Sequence, residues 1–271
     1  MTSKIDEITS ASNPIVKRFR SLDRKKGRAE TGLFLAEGIR LITQGLARGW
    51  TLETLVVSTA SAENAPVAAL QARAQTHGAR VVHAPGHLMA RMARKDNPQS
   101  VQGAFRQRAQ SLADLAVNAH SARFLALYEV RDPGNLGTLV RTADCAGMNG
   151  VLLVETCCDP YSVEAVRASM GSIFDIPVVQ TSAQAFLDWT KAHQIQLSAA
   201  SMNGTVRHDE AHYKSRSAIL MGNEQSGLPP AMEQACDQRV RIPMRGGADS
   251  LNLAQAAAIM VYEVWRQGDF T

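Results

Sequence analysis

The stretch Ile219-Leu220-Met221-Gly222-Asn223-Glu224-Gln225-Ser226-Gly227-Leu228-Pro229 runs from a short apolar strand into a loop bracketed by two glycines and carrying one carboxylate. Loops at the carboxyl ends of strands are where open α/β sheets hold their ligands. Two other stretches have the same build. Val130-Arg131-Asp132-Pro133-Gly134-Asn135-Leu136-Gly137 follows an apolar run and leads into a helix that contains Arg141. There, Pro133-Gly134 reads as a turn, Asn135 as a helix cap and Gly137 as a point of close backbone approach. Val240-Arg241-Ile242-Pro243-Met244-Arg245-Gly246-Gly247-Ala248-Asp249-Ser250-Leu251-Asn252-Leu253 passes from strand to glycine loop to the mouth of a last helix, which Ser250 or Asn252 can cap. Taken singly, each is an ordinary capped strand–helix connection.

The surroundings of these loops read as α/β. Phe124–Val130, Val151–Val154, Pro177–Val179, Ile195–Ala200 and Ala218–Met221 are apolar runs of the kind buried on both faces of a parallel sheet. Leu136–Ala146, Gln184–Ala192 and Asn252–Gln267 carry helical periodicity. The last has an apolar stripe of Leu253, Ala256, Ala257, Met260, Val261, Val264 and Trp265, wide enough for a deeply packed terminal helix or a second subunit. Upstream, strands at Leu33–Ala36, Leu52–Ser58, Ala79–His83 and Val101–Arg106 alternate with helices at Gly38–Arg48, Val67–His77 and His87–Ala93. Residues 13–28 read as one basic amphipathic helix with Ile15, Phe19 and Leu22 on its apolar face. The expected organisation is a basic helical extension over 1–29, a small α/β unit over 30–107, a linker over 108–122 (with Ser111–His120 as a connecting helix or linker) and a larger α/β unit over 123–271.

Charge separates the two halves. Residues 1–110 hold 17 Lys and Arg against 8 Asp and Glu, and the remainder 12 against 17, so +9 and −5 sum to the net +4. A basic front half suits a polyanion, most commonly nucleic acid. The cations concentrate in Lys17, Arg18, Arg20, Arg24, Lys25 and Lys26, and again in Arg91, Arg94 and Lys95. An apolar fraction of 45% supplies a sizeable core. Cys145, Cys157, Cys158 and Cys236 form no CxxC pair and read as reduced thiols. Without an apolar signal core at Met1–Asp6 or a run near the ~20 residues of a membrane span, the cytoplasm is the expected compartment.

Several chemistries lack their residues. There is no phosphate-binding GxxxxGK[ST], no GxGxxG after a first strand and no GxSxG elbow. His208-Asp209-Glu210-Ala211-His212 spaces two histidines like a zinc site, but its second position is Asp where a zinc protease needs Glu, so no metal is expected.

Together and in this order, the three glycine loops resemble the motifs of the SpoU/TrmH family of SPOUT RNA methyltransferases. Asn135, Gly137 and Arg141 match Asn-x-Gly-x-x-x-Arg. Gly222, Glu224 and Gly227 match Gly-x-Glu-x-x-Gly. Ile242-Pro243-Met244 and Ser250-Leu251-Asn252 match the third motif, with Ala254 where many relatives carry Ser. Val166–Ser172 is also family-like. The match spans about residues 123–267, and residues 30–106 resemble, less sharply, the family's L30e-like RNA-binding unit.

That resemblance implies a deep trefoil knot, a homodimer with an active site shared between subunits, and S-adenosylmethionine as cofactor, held by Met221, Gly222, Gly227, Ile242, Met244 and Leu251. It implies transfer of a methyl group to a ribose 2′-hydroxyl, with Asn135, Arg141, Glu224, Ser250 and Asn252 as the catalytic set. Guanidinium groups give up a proton only above about pH 12, so an arginine at the ribose works as base only if its site disfavours charge, and otherwise as a cation stabilising the alkoxide. Ribosomal RNA is the favoured substrate. Transfer RNA and a non-catalytic RNA-binding assembly role are the alternatives.

Overall fold

In the computed structural model, which describes residues 5–117 and 121–270, the front of the chain folds around a mixed five-stranded sheet. Its elements are β1 (Asp6–Glu7), α1 (Pro14–Ser21), α2 (Lys25–Thr31), β2 (Leu33–Glu37), α3 (Ile39–Ala47), β3 (Leu52–Ser58), α4 (Ala65–Thr76), β4 (Arg80–Ala84), α5 (Gly86–Ala93) and β5 (Val101–Arg106). The order is β1-β4-β3-β5-β2, with β2 and β3 antiparallel to β5. Phe19, Leu35, Val56 and Val82 form part of its buried core.

The basic segment differs from the single helix expected over 13–28. It is two helices, and the apolar face of α1 is Val16 and Phe19, followed by Leu22, with Ile15 only half-buried. The break has a local cause. Arg28 is buried and donates Nη1 to the carbonyls of Leu22 and Asp23, taking up groups that a continuous helix would bond internally. The segment is therefore not a separate extension. β1, α1 and α2 belong to the same compact unit as residues 30–108.

The second unit is built on a seven-stranded, all-parallel sheet. It comprises β6 (Ala122–Tyr128), α6 (Pro133–Cys145), β7 (Gly150–Val154), then, beyond a segment containing α7 (Val163–Ala168), β8 (Val178–Thr181), α8 (Ala183–Ala192), β9 (Gln196–Ala200), β10 (Val206–Arg207), β11 (Arg216–Met221), α9 (Pro230–Gln234), β12 (Gln238–Arg241) and α10 (Leu253–Gln267). Strand order is β10-β12-β9-β11-β6-β7-β8. Covered on both faces, β6 and β7 are apolar and buried almost throughout. Leu112, Leu115 and Val117, expected in a linker, pack into this unit's core. Leu112–Asp114 is a single tight turn, and residues 118–120, like 1–4, lie outside the described residues.

Residues 161–174, assigned from sequence to the catalytic half, belong to the front unit. Tyr161 and Phe174 join an aromatic cluster with Phe34, Trp50 and Phe105, and Trp50 Nε1 donates to the Phe174 carbonyl at 3.0 Å. Arg167 on α7 pairs with the nearly buried Glu37 at 2.7 Å. Aromatic burial decides the assignment, since sequence position alone cannot place an excursion.

Candidate active site

A parallel sheet brings the carboxyl ends of all its strands to one edge. The three glycine loops follow β6, β11 and β12, so they meet there. The loop after β11 closes on itself: Asn223 and Gly227 exchange backbone hydrogen bonds at 3.0 Å each. Gly227 has φ +66°, and a Cβ on Gly222 would stand 2.4 Å from the Gly227 carbonyl carbon, so this turn requires glycine at both ends.

Polar side chains stitch the loops together. The Glu224 carboxylate accepts from the backbone N–H groups of Arg131 (3.2 Å) and Asp132 (3.1 Å) and from Asn135 Nδ2 (3.5 Å). Asn135 Oδ1 in turn accepts from Asn252 Nδ2 at 3.2 Å. Asn252 Oδ1 caps α10, accepting from Ala254 N at 2.9 Å and Gln255 N at 3.4 Å. Partial burial pushes the Glu224 carboxyl up, but the backbone N–H donors outweigh it and hold the group below the usual carboxylate range.

Asn135 does not cap α6, as the sequence suggested. The helix starts at Pro133, and Asp132 caps it by accepting from Asn135 N at 2.6 Å. Proline at the first position and aspartate before it make the earlier start the better one. With its backbone held by Asp132, the Asn135 side chain is free to face Glu224 and Asn252. Asn252, not Ser250, caps the last helix.

Beside this network lies a cleft with two compartments. The larger, about 300 Å³, is walled by Gly222–Leu228, Ser250 and Leu251. An adjoining alcove of about 140 Å³ is walled mainly by Met221, Ile242, Met244, Leu251 and Met202. Every residue expected to hold a cofactor lines one or both. Ala200, Ser201 and Met202 line both and were missed, because their place depends on β9 lying beside β11, which sequence does not state. A larger cleft, about 470 Å³, lies at the amino ends of β9 and β11, around Lys191, Lys214 and Asp237. It is at the wrong edge of a parallel sheet for ligand binding, and none of the motifs reaches it.

Asn223 and Asp132 are site residues that the sequence reading did not single out. Asn223 Nδ2 donates to the Glu129 carbonyl at 2.8 Å while its Oδ1 accepts from Gln225 N and Ser226 N. An Asn between a glycine and a glutamate in such a loop was the available signal. Cys158 also sits close to Glu224 and Asp132. Burial first, then the charges of Cys157, Glu224 and Asp132, push its thiol up to about 12, which removes a thiolate nucleophile from consideration.

Arg141 stands apart. It lies on the exposed face of α6, six residues or ~9 Å of helix beyond Asn135. It joins none of these hydrogen bonds and does not line the cleft.

In the front unit, Lys17, Arg20, Arg24, Lys26 and Arg94 line one groove. Arg18 is bound to Glu53 and Lys95 to Glu37, while Lys25 and Arg91 are exposed outside the groove. Among the described residues no group of three His, Cys, Asp or Glu is placed to hold a metal ion, and Asp209 is paired with Arg207 at 2.7 Å.

Comparison with known proteins agrees with this geometry. The SpoU rRNA Methylase family profile matches residues 122–262, and an MRM3-like substrate binding domain matches residues 13–103. An uncharacterized tRNA/rRNA methyltransferase of Synechocystis is 32% identical over 98% of this chain and 96% of its own length. The 23S rRNA (guanosine(2553)-2′-O)-methyltransferase RlmP of Bacillus subtilis is 30% identical over 95% of this chain and 98% of its own. The crystal structure of an AdoMet-bound rRNA methyltransferase from Sinorhizobium meliloti superposes with a TM-score of 0.89 at 42% identity, covering 97% of this chain and 98% of that one. The glycine loops, the Glu224–Asn135–Asn252 network and the two matched segments thus place this chain in the SpoU rRNA methylase family.

Proposed function

We propose that this chain is an S-adenosylmethionine-dependent methyltransferase acting on a ribose 2′-hydroxyl of ribosomal RNA. The observation that carries the proposal is the closure of three distant polar segments, through Glu224, Asn135 and Asn252, beside a cleft at the carboxyl edge of the sheet. A fold kept only as an RNA-binding scaffold has no need of that closure. The specificity for ribose and for ribosomal RNA rests on relatives of nearly full-length similarity whose names carry both.

The cleft fits the cofactor by its construction. Gly222 brings bare backbone to the wall, where a Cβ would collide with Gly227, and Met221, Ile242 and Leu251 offer apolar contact beside exposed main-chain groups. When bound, the cofactor supplies a methyl group already activated on a sulfonium. The chain's own work is then to align the ribose and manage its hydroxyl proton. Glu224 and Asn252 fix the orientation of Asn135, which positions the ribose. Ser250 lines the same cleft at the mouth of α10. Arg141 acts as a cation on the developing alkoxide, and the proton passes to water or an RNA phosphate.

Because Arg141 is remote from its own cleft, the partner protomer supplies it in a homodimer. Support comes from α10, whose outer face leaves Ile259 and Tyr262 exposed, with Phe270 beyond them. The other half of the apolar stripe is already used: Met260 and Val264 are buried within the protomer. The knot belongs to the same reading. After β12, at the far side of β9, the chain returns so that α10 packs on α6 and β11. Stretching the unfolded chain by its ends should then reach a contour shorter than 271 residues allow, and the full contour would exclude a knot. No helix among the described residues is long and apolar enough to cross a membrane, and the cytoplasm, where ribosomal RNA is met, is the proposed compartment.

The test is incubation with methyl-labelled cofactor and separate pools of ribosomal RNA and transfer RNA, followed by alkaline hydrolysis. A 2′-O-methyl group removes the nucleophile of alkaline cleavage, so label in alkali-resistant dinucleotides from ribosomal RNA is expected. Label in transfer RNA would move the substrate, and absence of label from both would leave the scaffold role.

A further inference from the structure

The groove between α1 and α2 is a place where fixed cations converge. Lys17, Arg20, Arg24, Lys26 and Arg94 line a concavity of about 320 Å³, with Glu30 the one carboxylate on its wall. Two of the five are partly engaged. Arg94 pairs with Asp23 at 2.7 Å, and Lys26 lies 3.8 Å from Glu30 in a highly exposed pair of little energetic weight. Arg20 is different in kind: its Nε is buried and has no hydrogen-bond partner. A buried donor left without an acceptor is costly, and an anion in the groove that draws the guanidinium outward gives Nε the acceptor it lacks.

The groove is built into the fold. A Cβ on Gly27 would stand 2.2 Å from the Ser21 carbonyl oxygen, so α2 approaches the end of α1 as closely as only glycine permits. The end of a helix carries partial negative charge and would repel an anion. Here Arg28 lies buried beneath and covers the carbonyls of Leu22 and Asp23. Val16, Phe19 and Leu22, all fully buried, hold the other side. The cations are thus displayed on a rigid elbow with the opposing dipole neutralised.

We propose that this elbow is a phosphate site that seats the sugar–phosphate backbone of the RNA substrate, with Arg20 as its partly desolvated anchor and Lys17, Arg24, Lys26 and Arg94 around it. The proposal rests on the RNA-methyltransferase reading for the identity of the polyanion, and it narrows the basic front half to five residues. Arg18 and Lys95 do not line the groove and pair with Glu53 and Glu37 outside it.

The test compares the wild-type chain with Lys17→Gln/Arg24→Gln/Lys26→Gln and with a control, Arg40→Gln/Arg80→Gln, that removes two exposed charges elsewhere on the same unit. RNA binding is measured across a salt series, and the KM for RNA in methyl transfer alongside. Losing three phosphate contacts should lower the slope of log affinity against log salt by about 2 to 2.7 and raise KM, with cofactor affinity unchanged and the control slope unchanged. Arg20→Lys keeps the charge but removes Nε. It should weaken RNA binding with a melting temperature no lower than the wild type's, since the orphaned donor is removed, whereas a structural arginine would lower it. A wild-type slope and KM in the triple variant would overturn the proposal. Displacement of inorganic phosphate without any change in RNA slope would overturn it equally, leaving a small-anion site. A wild-type chain that binds RNA with the predicted slope yet transfers no methyl group would instead sink the activity and leave the groove standing.

Discussion

Asn252 reaches across 117 positions of sequence to donate its Nδ2 to Asn135 Oδ1 at 3.2 Å, while its own Oδ1 caps α10. One side chain thereby ties the start of the last helix to the start of α6. The two roles are separable. Asn252→Asp keeps the cap and loses the donor, whereas Asn252→Ala loses both. Urea unfolding should show Ala costing about 1 kcal/mol and Asp almost nothing. Methyl transfer should fall at least tenfold in both, about 1.4 kcal/mol of barrier. Full activity in Asn252→Asp would assign Asn252 to capping alone.

Glu224 makes the site sensitive to acid. Its folded-state pKa lies below the ordinary carboxylate value, so its contribution to the loop is present above the unfolded pKa and is lost as pH falls through the folded one. Because the group is exposed, screening keeps its effect on global stability small, and the effect belongs to the local geometry. The acid limb of the pH–rate profile should therefore lie below the usual carboxylate range. In Glu224→Gln it should flatten, at a lower plateau, because two backbone N–H groups lose a charged acceptor. An identical acid limb in both proteins would remove Glu224 from the profile.

Gly222→Ala should reduce cofactor affinity without abolishing the fold. The added methyl meets Gly227 backbone, which has no side-chain freedom to yield, so the turn must shift at a cost of about 1–3 kcal/mol. Calorimetric titration with the cofactor or its demethylated product reads this directly. Unchanged affinity would show that the wall is formed elsewhere.

A site shared between protomers has its own signature. Arg141→Ala and Asn252→Ala should each be impaired tenfold or more as homodimers, yet mixing them after subunit exchange should raise activity well above either parent, since each mixed dimer regains one intact site. Arg141→Lys, which keeps charge but loses the planar fork, should retain partial turnover if electrostatic stabilisation dominates. Absence of complementation would put both residues in one protomer's site.

The two sides of α10 should respond differently to charge. Tyr262→Asp or Ile259→Asp, on the exposed side, should yield a folded monomer in sedimentation. Met260→Asp, at a fully buried position, should unfold the domain, because an unpaired buried charge costs several kcal/mol. A stable Tyr262→Asp dimer would move the interface away from this face.

Local rules carried the reading a long way. The strand Leu52–Ser58 stands where its apolar residues place it, and Val101–Arg106 likewise. The three glycine loops announced themselves through strand-then-glycine patterning, because turns and helix starts depend on a few adjacent residues. Other features were decided by contacts that no window contains. Asp132 rather than Asn135 caps α6, and that choice frees Asn135 to meet Asn252. Residues 161–174 leave the second unit because Tyr161 and Phe174 find Phe34, Trp50 and Phe105. Met260 and Val264 face inward while Tyr262 faces out, a distinction invisible in a stripe read as one surface. Ser201 lines the cleft because β9 lies beside β11. Periodicity reports which residues avoid water, through interactions within a turn or two of chain. Which partner each one finds is a matter of long-range packing, and only the closed sheet and its covering helices decide it.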